Sequence, residues 1–118
     1  MTGFVQYVVV RGDLLHILKW PTGAVIAQAC HACTAVLHRF REDENVHLYT
    51  SNLDNMHKVV LEAQNEDNLR TLSAELTSAR IDHTLWIEQP ENCATCIAVK
   101  PYPKEHIQKH FKKFKLFK

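Results

Sequence analysis

The sequence predicts an α/β fold, a single domain with a mixed four-stranded β-sheet and α-helices on both faces. Three observations carry this expectation. Apolar, β-branched runs alternate with amphipathic helical stripes in the order β-α-(α)-β-α-β-β-α. A helix between successive strands implies a parallel crossover, whereas the tight turn Gln89-Pro90-Glu91-Asn92 implies an antiparallel hairpin. The 118 residues are enough for one compact core and not for two.

Phe4 to Val10 is unbroken apolar sequence, as expected of a central strand covered on both faces, and Arg11-Gly12-Asp13 ends it. Leu14 to Leu18 reads as a short apolar connector. Pro21 and Gly23 mark the entry to the first long helix, with Thr22 as its N-cap. Val25, Ile26, Ala29, Cys30, Cys33, Val36, Leu37 and Phe40 recur at three- and four-residue spacing and form its apolar stripe. Residues 45–56 are ambiguous and can hold a short helix before a loop. His57 to Ala63 reads as the second strand. Asn65 caps a helix running to about Ala79, with Glu66 and Asp67 favourably placed for its dipole and Leu69, Leu72 and Leu76 as its stripe. Ile81 to Glu88 and Cys93 to Val99 read as the third and fourth strands. Pro101-Tyr102-Pro103 ends the last of these, and Pro103-Lys104-Glu105 opens a final basic helix through about Phe114, so that 103–118 form a basic helix and tail.

Composition narrows the class. A hydrophobic content of 46% with 23% charged residues fits a globular chain. No apolar run approaches the ~20 residues of a membrane helix, and no basic-then-apolar leader opens the chain, so the expected compartment is the cytoplasm. The net charge of +1 conceals an asymmetry. Residues 100–118 hold seven Lys against one acid, Glu105, for a net of +6, while the remainder is acidic. A concentrated basic segment attracts phosphate backbones, or is simply a solvated helix face. Cys30-x-x-Cys33 and Cys93-x-x-Cys96 have zinc-site spacing, but one pair falls mid-helix and the other opens a strand, so buried thiols and no metal are expected.

The turn Lys19-Trp20-Pro21-Thr22-Gly23 leads into a helix carrying Gln28 and His31. Helix N-termini expose unpaired N–H groups and partial positive charge, so this stretch can take an anionic group. That points to a phosphate-bearing partner and towards nucleic acid. His31 lies about one turn after Gln28 and can face the same mouth. Trp20 can stack on an RNA base or bury against the sheet edge.

With these residues in view, the chain resembles the type 2 peptidyl-tRNA hydrolases over nearly its whole length, and most closely their divergent branch named for carrying a peptidyl-tRNA hydrolase domain. Arg11-Gly12-Asp13-Leu14 matches the family's Arg-x-Asp-Leu. In Ile26-Ala27-Gln28-Ala29-Cys30-His31-Ala32, Gln28, His31 and Ala32 match the family's Ala-Ala-Gln-Cys-Ser-His-Ala, and Lys58 to Leu61 matches its Lys-Val-Val-Leu. Lys100-Pro101-Tyr102-Pro103 and Phe114-Lys115-Leu116-Phe117 resemble its closing motifs. The resemblance implies hydrolysis of the ester joining a peptide to tRNA, with no cofactor. It also implies tRNA as partner and, by analogy, a ubiquitin-like-domain protein; a homodimer is left open.

Ester hydrolysis needs an activated water, a donor for the developing oxyanion and a grip on the tRNA. Lys19, His31 and Glu88 are the candidate catalytic residues, with Glu88 or His31 as base and Lys19 and N–H groups near Gly23 at the oxyanion. Trp20, Gly23, Gln28, Lys58, Lys112 and Lys113 are the candidate substrate contacts. Two departures concern the chemistry. The family's Lys-Met-Gly-Lys-Gly-Lys turn keeps one Lys of three, and its Asp-Ala-Gly-Arg-Thr segment is shortened to Ile87-Glu88-Gln89-Pro90-Glu91-Asn92. These define the alternative expectation, a catalytically impaired relative acting as a tRNA-binding or protein-interaction module.

Overall fold

Strand β1, Phe4–Arg11, forms the middle of the sheet, and its alternation explains the layering. Val5, Tyr7 and Val9 face one side, and Val8 and Val10 the other, all buried. The computed structural model describes residues 3–118. After β1 come a short helix α1 (Asp13–His16), the long α2 (Thr22–Arg39) and α3 (Glu44–Thr50). Then follow β2 (Lys58–Ala63), α4 (Glu66–Ser78), β3 (His83–Glu88) and β4 (Cys93–Val99). The chain closes with β5 (Tyr102–Pro103), α5 (Lys104–Ile107), a 3-10 turn over Gln108–His110 and β6 (Lys115–Leu116).

The strand order is β3-β4-β1-β2-β6, with β5 pairing the start of β1. β1 and β2 are parallel, and β3-β4 is the expected antiparallel hairpin. Helix α2 packs over β4, β3 and β1 on one face, and α4 covers the other. The α/β class with helices on both faces is therefore as predicted. Asn65 caps α4 as expected, its side chain accepting the Asn68 N–H at 2.9 Å. Among the described residues no helix is long and apolar enough to cross a membrane.

The number of strands differs from the prediction, six rather than four. The two additional strands are two residues each, too short to leave a periodic signal. The final helix is also shorter than predicted. Ile107 and Phe111 are buried, and the Phe111 ring stacks on Tyr7 at 4.2 Å. That anchor draws the chain back over the sheet, where Lys115 and Leu116 pair with Glu62 and Leu61 at the open edge of β2. Thr22 is the first residue of α2 and makes no capping bond; Pro21 occupies the cap position. Cys30, assigned to the α2 stripe, is exposed.

Lys100 does not belong to the exposed basic segment either. It is buried, donating to Asp43 at 2.7 Å and Asp82 at 3.0 Å over the rings of Phe40 and Tyr102. Asp43 also caps α3, accepting the Asn45 N–H, so this cluster fastens α3 to the sheet.

Candidate active site

Of the residues singled out in the sequence, Gln28 and His31 lie on α2 and Lys58 opens β2 on the strip of sheet beside it. Because α2 lies over β3, β4 and β1, the β2 strip beside it remains open, with Lys58 and Val60 exposed. Gly12 allows β2 to come close, since a Cβ there would run into the Glu62 side chain.

Gln28 is buried on α2. Its oxygen accepts from the Thr95 hydroxyl at 2.8 Å and its nitrogen donates to the Ala24 carbonyl at 3.1 Å. A β-bulge makes the first bond possible. Trp86 pairs with Cys96 and Ile87 with Ala94, which leaves Thr95 as an extra residue in β4. The bulge turns the Thr95 side chain to the same face as neighbouring Cys96, under the first turns of α2. Sequence alternation assigns Thr95 to the opposite face, and nothing in residues 93–99 marks the bulge.

His31 is exposed on α2 and stacks on Trp86 of β3, with ring centroids 4.9 Å apart. The Trp86 indole N–H donates to Glu88 at 2.9 Å. His31, Trp86 and Glu88 thus form one surface array, and Trp86 is its unpredicted member. Lys19 stands apart. It is exposed in the α1–α2 loop with φ of 60°, and no hydrogen bond or ion pair joins it to Glu88 among the described residues. Trp20 is half-buried against the α2-side core, and Gly23 is exposed in the first turn of α2 with open space around it.

Lys58 opens β2 opposite Gln6. Its ammonium donates to the Gln6 side-chain oxygen and to the Tyr49 hydroxyl at 3.3 Å, and lies 5.1 Å from the Tyr49 ring centre. Tyr49 donates in turn to the His57 carbonyl at 3.0 Å. Burial and, next, the nearby Cys33 push the Tyr49 phenol up to about 12, so it stays neutral at ordinary pH. Among the described residues no carboxylate pairs with Lys58. Thr95 lies beside the far end of β1, four to five residues away, or about 15 Å along the strand. Lys112 is exposed, while Lys113 lies 3.7 Å from Glu75 and lines a cleft of about 420 Å³ with Glu62, Gln64 and Phe114 on the α4 side.

Arg11 of the Arg-Gly-Asp stretch points inward. It is buried, bridges both Asp13 oxygens at 2.9 Å and donates to the Ala94 carbonyl at 3.0 Å. The four cysteines are free thiols; burial pushes Cys96 well above its usual value and Cys33 upward. Among the described residues no three His, Cys, Asp or Glu side chains gather into a metal site.

Residues 4–117 match the model of the family described as "Peptidyl-tRNA hydrolase PTH2". The mouse protein named "Putative peptidyl-tRNA hydrolase PTRHD1" is 55% identical over 115 residues, covering 97% of this chain and 82% of that protein. The human protein of the same name is 53% identical over the same shares. The chain therefore belongs to the PTH2 family of peptidyl-tRNA hydrolases.

Proposed function

We propose that this protein cleaves the ester between a peptide and the 3′ end of tRNA, releasing both for reuse in the cytoplasm. The observation that carries this reading is Lys58, a cation with neutral partners on the open strip beside α2, in a chain matched to the family over residues 4–117. An ammonium that is not neutralised by a carboxylate is free to hold a phosphate of the acceptor strand. Lys112 and the tail add longer-range attraction.

For the chemical step, Glu88 or His31 takes a proton from water, and the hydroxide adds to the ester carbonyl. The carbonyl oxygen becomes an oxyanion that Lys19 or an N–H near Gly23 meets. The C–O bond to the ribose then breaks, and the proton passes to the departing 3′ oxygen. The products are a peptide carboxylate and tRNA. Gln28 bonds the Thr95 hydroxyl and the Ala24 carbonyl, and the part of this pair is to fix the start of α2 over the sheet.

The test is cleavage of N-blocked aminoacyl-tRNA by the purified chain beside Lys19→Ala, Lys58→Ala and Glu88→Gln. Turnover reduced at least tenfold by these substitutions supports a hydrolase with a shortened site. No turnover by the folded parent at high concentration overturns the reading and leaves a tRNA-binding module.

A further inference from the structure

The surroundings of Lys58 hold two side chains to which no role has been given, Gln6 and Tyr49. Gln6 is fully buried in β1 on the face beneath α2. A buried amide there is costly unless it is used, because an apolar side chain of the same length would fill the space. Its oxygen is used by Lys58, and its nitrogen has no hydrogen-bond partner among the described residues. Tyr49 reaches the same ammonium from α3, with its hydroxyl already committed as a donor to His57, so towards Lys58 it can only accept.

A lysine ammonium has three donors. Gln6 takes one and Tyr49 a second, while the Tyr49 ring supports the charge from below. Both partners are neutral. Lys58 is therefore held in place without being neutralised, and one N–H is left over on an exposed residue. Most surface lysines are either unrestrained or paired with a carboxylate, and this one is neither. The nearest acid on the same face of β2, Glu62, stands four residues along and faces His16 at 3.6 Å instead.

We propose that Gln6 and Tyr49 are positioning residues for Lys58. They fix its ammonium as an uncompensated cation whose remaining N–H takes a phosphodiester oxygen of the bound RNA. This rests on the functional reading above and adds to it the groups that make one lysine a defined phosphate subsite. The lysine–cluster core at Asp43, Lys100 and Asp82 supports it from further off, since it fastens the helix that carries Tyr49.

The experiment uses the full chain with 13C-labelled lysine and deacylated tRNA as probe. It compares the parent with Gln6→Met, Gln6→Glu, Tyr49→Phe and Lys58→Arg, the last to assign the Lys58 Cε line. Gln6→Met and Tyr49→Phe should each sharpen the Lys58 line, reporting a released side chain, and weaken tRNA binding several-fold with the salt dependence unchanged. Gln6→Glu should pair with Lys58, lower affinity about tenfold and reduce the slope of log affinity against log salt by about one. A Lys58 line unchanged in Gln6→Met and Tyr49→Phe overturns the positioning role, and a parental salt slope in Gln6→Glu overturns the phosphate assignment. A folded parent that does not bind tRNA overturns both the functional reading and the ligand named here. In that case the Lys58 line still decides, separately, whether Gln6 and Tyr49 hold the side chain.

Discussion

Two threonines on the sheet show how the same atom can matter oppositely at two positions. Thr84 and Thr95 are both buried. The Thr95 hydroxyl donates to Gln28, whereas the Thr84 hydroxyl has no partner among the described residues. Thr95→Val should strand the buried Gln28 oxygen and cost about 1–3 kcal/mol, and Thr84→Val should be neutral or stabilising by about 1 kcal/mol. Urea denaturation of both variants checks the contrast, and equal losses would contradict it. Lys19 offers a second comparison. Its left-handed backbone suits glycine, so Lys19→Gly should keep or raise stability by up to about 1 kcal/mol while removing the ammonium. Denaturation midpoint and tRNA-ester cleavage read separately would divide a structural role from a chemical one. At this scale the sequence was only partly legible. Gln28, His31 and Lys58 carry visible motifs, but their partners Thr95, Trp86, Tyr49 and Gln6 are set by pairing between distant strands and helices, which no local pattern records.

Among the elements, α2, α4 and the four long strands were readable because each buries a periodic face. α3 was ambiguous because it is short and buries only Val46 and Tyr49, and its Asp43 cap is tied down by the distant Lys100. Lys100 shares its ammonium between Asp43 and Asp82, and the pH dependence follows from the two shifts. Burial opposes the charged form of Asp43, but the Lys100 hydrogen bond and the Asn45 N–H outweigh it and lower its pKa. Its contribution is therefore full above the ordinary value of about 3.9 and is lost as pH falls through the lowered folded value. Burial likewise opposes the charge on Lys100, and the bonds to Asp43 and Asp82 outweigh it and raise its pKa. That contribution is full below about 10.4 and is lost as pH rises through the raised folded value. Lys100→Met should cost about 1–2 kcal/mol near neutral pH, discounted for the partial exposure of both acids. The difference from the parent should shrink in strong acid and strong base. Thermal unfolding across pH measures it, and a difference independent of pH would count against the clamp.

Across the whole molecule, charge is less polarised than the linear sequence suggests. With Lys100 buried and Lys113 near Glu75, the basic C-terminal segment keeps Lys104, Lys109, Lys112, Lys115 and Lys118 as exposed cations. Binding to tRNA should weaken steeply with salt, and Lys112→Ala should lower the salt slope by about one, measurable by titration at several ionic strengths. The layered architecture was legible because hydrophobic alternation fixes which face each strand buries, whereas the β2 edge closure by β6 depends on two residues and a stacked aromatic. The bulge at Thr95 has a further effect at this scale. An extra residue offsets the inside–outside rhythm of a strand by half a period, so everything on its hairpin side is out of step with Cys96 to Val99. Deleting Thr95 would close the bulge and leave Ala94 opposite Ile87 on the α4 side, where its carbonyl still receives Arg11 and its N–H is still held by Glu66. The loss would be confined to the hydroxyl that Gln28 accepts from, so shortening the chain by this one residue should disturb the seating of α2 and spare the anchors at the end of β1.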